Sequence, residues 1–394
     1  MRDGRNIRQH MDAGVGVVTE PVYLDHNATT PILPEVVDAM LPYLREHFGN
    51  PSSGHVYGAR ARNAVARARE QVAALLGCDA DEVVFTSGGT EANNLAIRGV
   101  AEALEGRSHI VTTVIEHPAT VRTCAWLEKH ERSVTRIGVG ADGRARVDDA
   151  REAIDGDTAL VTVMHSNNET GVLQPVAELA KLAHAVGAVV HTDAAQSLGK
   201  VPVNVRELDV DLLSVVGHKA YAPKGVGALY VRRRTPLVPF ALGASHERDL
   251  RPGTENVASI VGLGAACAAV GRDLDEAASR MRALRDSLWY RLSAAIPGLA
   301  LNGHRELRLP NTLNVRFPRA SGSAVLAGAP EIAASTGSAC HEGHESASAV
   351  ILAMGVAPED ALGSVRLTLG RATTEDDIAR AGEALVRSWQ ILGG

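Results

Sequence analysis

From about residue 22 to about residue 256, short apolar runs rich in β-branched residues alternate with longer Ala-rich amphipathic segments. No other feature limits the possible folds so much, because this alternation requires an α/β fold with a mainly parallel sheet. Residues 109–115, 160–165, 188–192 and 212–216 read as buried strands, and 82–85 as a shorter one. Residues 60–76, 89–104, 120–129 and 175–186 read as the helices between them. Past residue 256 the pattern changes to a long helical region reaching about Ile296. Three strand-like pieces follow (312–317, 331–335 and 365–369), then a terminal helix from about Thr374. The expected organisation is a flexible N-terminal extension (1–20), a large domain (21–256) whose first residues can pack with the other unit, and a smaller α+β domain (257–394).

A chain of 394 residues with 45% apolar residues can bury two cores without disulfide staples. Its four cysteines form no CxxC pair, which suits a reducing cytosol and argues against a structural zinc site. The net charge of −6 gives no general reason to expect nucleic acid as a partner. The basic run Arg232, Arg233 and Arg234 reads as a solvated strand end. No apolar run approaches the roughly 20 residues that span a bilayer, and residues 1–20 carry no apolar signal core.

Polar residues gather just beyond the apolar strands, where open α/β sheets place their functional groups. The run 188–192 leads to Asp193 and Gln196, and 212–216 leads to His218 and Lys219. The run 109–115 leads to Glu116 and His117, and 160–165 leads to Asn167, Asn168 and Glu169. Thr86, Ser87, Gly88, Gly89 and Thr90 open a helix. Taken singly these have ordinary readings: a capped turn, a turn aspartate, a solvated lysine, a hydrogen-bonded histidine. Taken together they suit pyridoxal 5′-phosphate (PLP). A Gly-rich helix start offers N–H groups to a phosphate. Asp193 can keep a ring nitrogen protonated, Lys219 can form an imine, and the flat His117 can stack on a ring.

Ten motifs carry a resemblance to a known family: 23–31, 49–53, 86–94, 116–117, 167–171, 191–196, 217–219, 251–256, 337–340 and 366–371. On them the chain resembles the class V aminotransferase group of fold-type I PLP enzymes, and within it the cysteine desulfurases and selenocysteine lyases. The resemblance implies a large domain with a mainly parallel seven-stranded sheet plus a smaller α+β C-terminal domain. It implies that Lys219 carries the cofactor as an imine and then moves protons, that Asp193 holds the ring nitrogen, and that His117 stacks. Gln196 is expected on the ring hydroxyl, with Gly89, Thr90, Ser214 and His218 at the phosphate. Asn27, Asn168 and Arg366 are expected on the substrate α-carboxylate; for Arg366 a planar guanidinium offers two parallel bonds. Thr254 is expected to reach the phosphate of a neighbouring subunit, which implies a homodimer with shared active sites.

The same resemblance singles out Cys340, set among Gly337, Ser338 and Ala339, as the nucleophile that takes sulfur from L-cysteine as a persulfide and leaves alanine. A sulfur-acceptor protein, a cytoplasmic location and no contact with nucleic acid or membrane follow from it. His117 is the expected base beside the thiol, with His341 and His344 able to assist. Many cysteine desulfurases follow the cysteine with small hydroxyl residues. Here His341, Glu342, Gly343 and His344 follow, and with 246–256 and 308–312 they look closer to selenocysteine lyases, so L-selenocysteine stands as the alternative substrate, with another class V PLP aminotransferase or lyase as the further alternative. Cys340, His341 and His344 are compactly spaced, but no second Cys/His pair completes a metal site. Cys78, Cys124 and Cys267 lie in Ala-rich helical contexts and read as small hydrophobes.

Overall fold

The computed structural model describes residues 20–336 and 346–393. A two-residue strand, β1 (Val22–Tyr23), comes first. β2 (Val83–Thr86), β3 (His109–Thr113), β4 (Ser133–Ile137), β5 (Thr158–Thr162), β6 (Val189–Asp193), β7 (Leu212–Val216) and β8 (Gly227–Val231) then form one seven-stranded sheet. Its order is β2-β8-β7-β6-β5-β3-β4. All neighbours run parallel except at β8, which is antiparallel to both β2 and β7. The expected α/β fold with a mainly parallel sheet is therefore what the chain adopts.

Successive strand residues enter opposite cores. Val111, Val161, Val190, Leu213 and Tyr230 enter one, while Ile110, Leu160, Val189, Leu212 and Leu229 enter the other. Both faces are covered, which is why these strands are buried along their whole length. Around the sheet run α1 (Pro34–Arg45), α2 (Val56–Leu76), α3 (Gly89–Ala103), α4 (Pro118–Glu128), α5 (Val147–Ala153), α6 (Val176–Ala185) and α7 (Val205–Leu208). α2 and α6 pack on the first face, α3 and α4 on the second. Two helices follow, α8 (Val257–Arg272) and α9 (Leu274–Ala295), bent by 74° at Asp273.

The change in sequence pattern at residue 256 does not coincide with the change of core. α8 buries Ile260, Leu263, Ala266 and Cys267 in the first core, against α2. Gly264 makes this possible, since a Cβ there would stand 2.5 Å from the Ala68 Cα. A third core begins beyond the bend, with Leu284 and Leu288 of α9, and takes in Val22 and Leu24 from the start of the chain. It backs a three-stranded antiparallel sheet of β9 (Ala300–Leu301), β10 (Thr312–Arg316) and β12 (Ser364–Thr368); β11 (Ile332–Ala333) pairs parallel with β1. A long apolar helix reads the same whichever core it enters, so composition alone misplaces the boundary. The basic run after β8 is also more than a solvated end. Arg232 bonds Asp209 at 2.8 Å, and Arg233 pairs with Asp79 and Asp81.

Candidate active site

A cleft of about 290 Å³ opens at the carboxyl ends of the parallel strands. Gly89, Thr90, His117, Asn168, Asp193, Gln196, His218 and Lys219 all line it, so motifs spread from residue 89 to residue 219 meet in one place.

Lys219 ends a short 3-10 turn, Gly217–Lys219, directly after β7. Burial lowers the pKa of its ammonium, Asp193 opposes this, and Arg366 adds to it. The amine is thereby eased towards its neutral, nucleophilic form. Asp193 ends β6 and is bound on both oxygens before any ligand arrives. The Asn93 amide donates to Oδ2 at 2.7 Å and the Ala195 N–H to Oδ1 at 2.9 Å. Sequence reasoning passed over Asn93, although it lies three residues beyond Thr90, one turn along α3.

His117 is the N-cap of α4, and its Nδ1 accepts the Ala119 N–H at 3.1 Å. Burial lowers its pKa, with Asp193 opposing and Lys219 adding. In the neutral ring Nδ1 is thus an acceptor and the proton sits on Nε2. His218 is neutral too, pushed down to about 4 by burial and by Lys219, Lys224 and Lys200. Its Nδ1 meets the Thr29 hydroxyl at 3.2 Å.

The turn before α3 forms one end of the cleft, where Gly89 and Thr90 line it. Gly88 caps the helix at φ 145° and ψ −175°, a region essentially closed to other residues. The first-turn N–H groups of α3 are free of intrahelical partners by construction. Glu91 fastens the turn, accepting the Ser87 N–H at 2.5 Å and pairing with Arg251 at 2.8 Å.

One expected phosphate contact is not brought to this cleft. Ser214 lies inside β7, fully buried, with its hydroxyl on His191 Nε2 at 3.0 Å. Val216, two residues on and on the same face, lines the cleft in its place. Only the last residue of a strand projects past the sheet edge, which an interior serine cannot do. Thr254 is exposed in the segment before α8 and does not line the cleft of its own chain.

The three residues expected at a substrate carboxylate converge on one carbonyl. Asn27 Nδ2 and Arg366 Nη1 donate to the Asn168 carbonyl at 3.3 and 3.0 Å, and the Asn168 residue lines the cleft. Arg366 also pairs with Asp25 at 2.7 Å, while its Nε has no acceptor. The Asn27 side chain is spent inside the protein. Its Nδ2 also reaches Thr312, and its Oδ1 accepts from Asn311 at 3.1 Å and Lys200 at 3.4 Å. It braces the site, and Ala28 beside it forms the wall. Asp25 and Lys200 escaped sequence reasoning, since each acts through a contact far along the chain.

Cys340, His341 and His344 lie outside the described residues. Of the other cysteines, Cys124 and Cys267 are buried within α4 and α8, whereas Cys78 sits just past the αL cap Gly77, outside any helix. Burial pushes all three thiols up to about 12, which makes them inert. The donor set of the cleft fits a planar aromatic aldehyde bearing a phosphate. It has an amine to condense, a fixed carboxylate for a ring nitrogen, a flat ring for one wall and a helix start for the anion.

The match to a family model covers residues 22–381 and is to class-V aminotransferases. A cysteine desulfurase of Trichormus azollae is 45% identical over 366 residues, 92% of each chain. Among solved structures, a NifS-like protein superposes with a TM-score of 0.88 at 36% identity, covering 95% of this chain and 99% of that one. SspA in complex with cysteine superposes with a TM-score of 0.79 at 34% identity, covering 89% and 99%. The likeness spans the three cores and every strand of the cleft, and the chain belongs to the class-V aminotransferase family.

Proposed function

We propose that the chain is a PLP-dependent cysteine desulfurase, which converts L-cysteine to L-alanine and leaves a persulfide on Cys340. The observation that carries this reading is the cleft itself: Lys219, Asp193 and Asn168 line it together, and Arg366 donates to the Asn168 carbonyl. Relatives named cysteine desulfurase at 44–47% identity over more than nine-tenths of the chain support it. Bound PLP would supply an aldehyde that condenses with amines and a ring that draws electrons from the amino-acid carbons.

The chain's own residues do the rest. Arg366, oriented by Asp25 and the Asn168 carbonyl, presents its remaining N–H groups to the substrate carboxylate. Lys219, with its lowered proton affinity, takes the proton from the substrate α-carbon and later restores one there. Asp193, fixed by Asn93 and Ala195, holds a proton on the ring nitrogen. His117 carries its proton on Nε2, ready to donate. The Cys340 thiolate bonds to the substrate sulfur as the carbon–sulfur bond breaks. That bond's electrons stay on carbon, which gains a proton and leaves as alanine. Ser335, five residues before Cys340, bridges in the backbone to Arg366, which supports a reach of this loop to the substrate. We also infer a homodimer with shared sites through Thr254, a sulfur-acceptor protein as the onward partner, and a cytoplasmic setting.

The test is turnover of L-cysteine and of L-selenocysteine by the PLP-loaded protein, with alanine and released chalcogen both measured. Lys219→Ala and Cys340→Ala are each expected to lower cysteine turnover by about 10³-fold or more. Cysteine turnover that survives intact in Cys340→Ala overturns the reading.

A further inference from the structure

Lys200 lies four residues beyond Gln196 and is only 2% exposed. Its ammonium meets two side-chain acceptors, Gln196 Oε1 at 3.2 Å and Asn27 Oδ1 at 3.4 Å. Among the described residues it makes no ion pair. A buried cation held by amides alone is costly, and a methionine of similar length would avoid that cost.

The two amides explain what the cation does. An amide has a donor face and an acceptor face, and a buried one can turn end for end. Because Gln196 gives its oxygen to Lys200, its NH₂ is left to donate to the Asn27 carbonyl at 2.9 Å, at the edge of the cleft that Gln196 lines. Because Asn27 gives its oxygen to Lys200 and Asn311, its NH₂ is left for the Asn168 carbonyl and Thr312. Flipping either amide would set donor against donor. We propose that Lys200 is a positioning residue for the cleft: it locks the amides of Gln196 and Asn27, and it adds a third positive charge beside Lys219 and Arg366.

The charged and titratable groups facing it come from every neighbouring element. Lys219 and Arg366 repel it, and it acts in turn on His26 and His218. Burial, with those two cations, lowers its own pKa to about 7. A group that holds its proton to about 10.5 when unfolded but only to about 7 when folded weakens the fold most below pH 7. The penalty fades as pH rises from about 7 to about 10.5. The stability of wild-type apoprotein relative to Lys200→Met should therefore rise across that interval.

The proposal rests on the cleft being a PLP site, so its decisive test uses cofactor and no cysteine. PLP is titrated into apoprotein, and its visible band is followed against pH. Lys200→Met is expected to bind PLP roughly 10-fold more weakly, with the band's pH midpoint raised by about one unit through loss of the neighbouring cation. Lys200→Gln keeps a donor for Gln196 without the charge. It should recover affinity to within about 3-fold while keeping the raised midpoint. If Lys200→Met fails to fold, Lys200→Gln decides, and an unmoved midpoint overturns the proposal. Wild type that takes up no PLP sinks the reading beneath it, whereas wild type that binds PLP and variants that match it sink the proposal alone.

Discussion

Asn93 and Glu116 are the residues on which the electrostatics beneath the cleft turn. Asn93 holds Asp193 by a buried charge-assisted bond of 2.7 Å. Asn93→Ala should weaken PLP binding by roughly 10-fold, as read by titration of apoprotein. Ser214→Ala should leave that affinity within about 2-fold, because its hydroxyl serves His191. Glu116, beside His117, is pushed up to about 8, chiefly by burial, and takes hydrogen bonds from Thr113 and the Met164 N–H. Its folded form keeps a proton that the unfolded chain releases near pH 4.5. The stability it supports is present below about 4.5 and is lost as pH rises to about 8. Glu116→Gln should remove that slope, so its stability relative to wild type should climb over the interval in denaturant titrations at several pH values. Lys219, Asp193, His117 and Thr90 were legible because each follows an apolar run at a strand end. Ser214 misled because it has the right chemistry one turn of the pleat too early. Asn93 and Lys200 were silent because their partners are set by the folded chain.

The helix start at α3 carries the tightest backbone demand of any element. Gly88 at φ 145° admits no side chain without strain of about 1–3 kcal/mol. Gly88→Ala should destabilise the apoprotein by that order in urea unfolding and, on the proposed function, weaken PLP more than free pyridoxal, since the displaced amides are those proposed for the phosphate. The buried strands could be read from sequence because both their faces are covered. β4 could not: it is the sheet's edge, and Ser133, Thr135 and Arg136 face solvent. Nor could the reversed direction of β8, since an apolar run carries no arrow. The helix α1, with Pro42 inside it, also went unread.

For the whole molecule, shared sites make a stringent prediction. If Thr254 serves the neighbouring subunit, chains carrying Lys219→Ala and chains carrying Thr254→Ala should rescue one another when co-expressed. Random pairing gives half heterodimers, each with one intact site, so about a quarter of full activity should return. No rescue, with mixed dimers demonstrated by differential tagging, would place Thr254 outside its partner's site.

The pairing of Asp25 with Arg366 joins positions 341 residues apart. The Gly88-to-Lys219 part of the cleft draws only on residues made by the time β8 is complete, whereas the Asp25–Arg366 pair cannot close until β12 has left the ribosome.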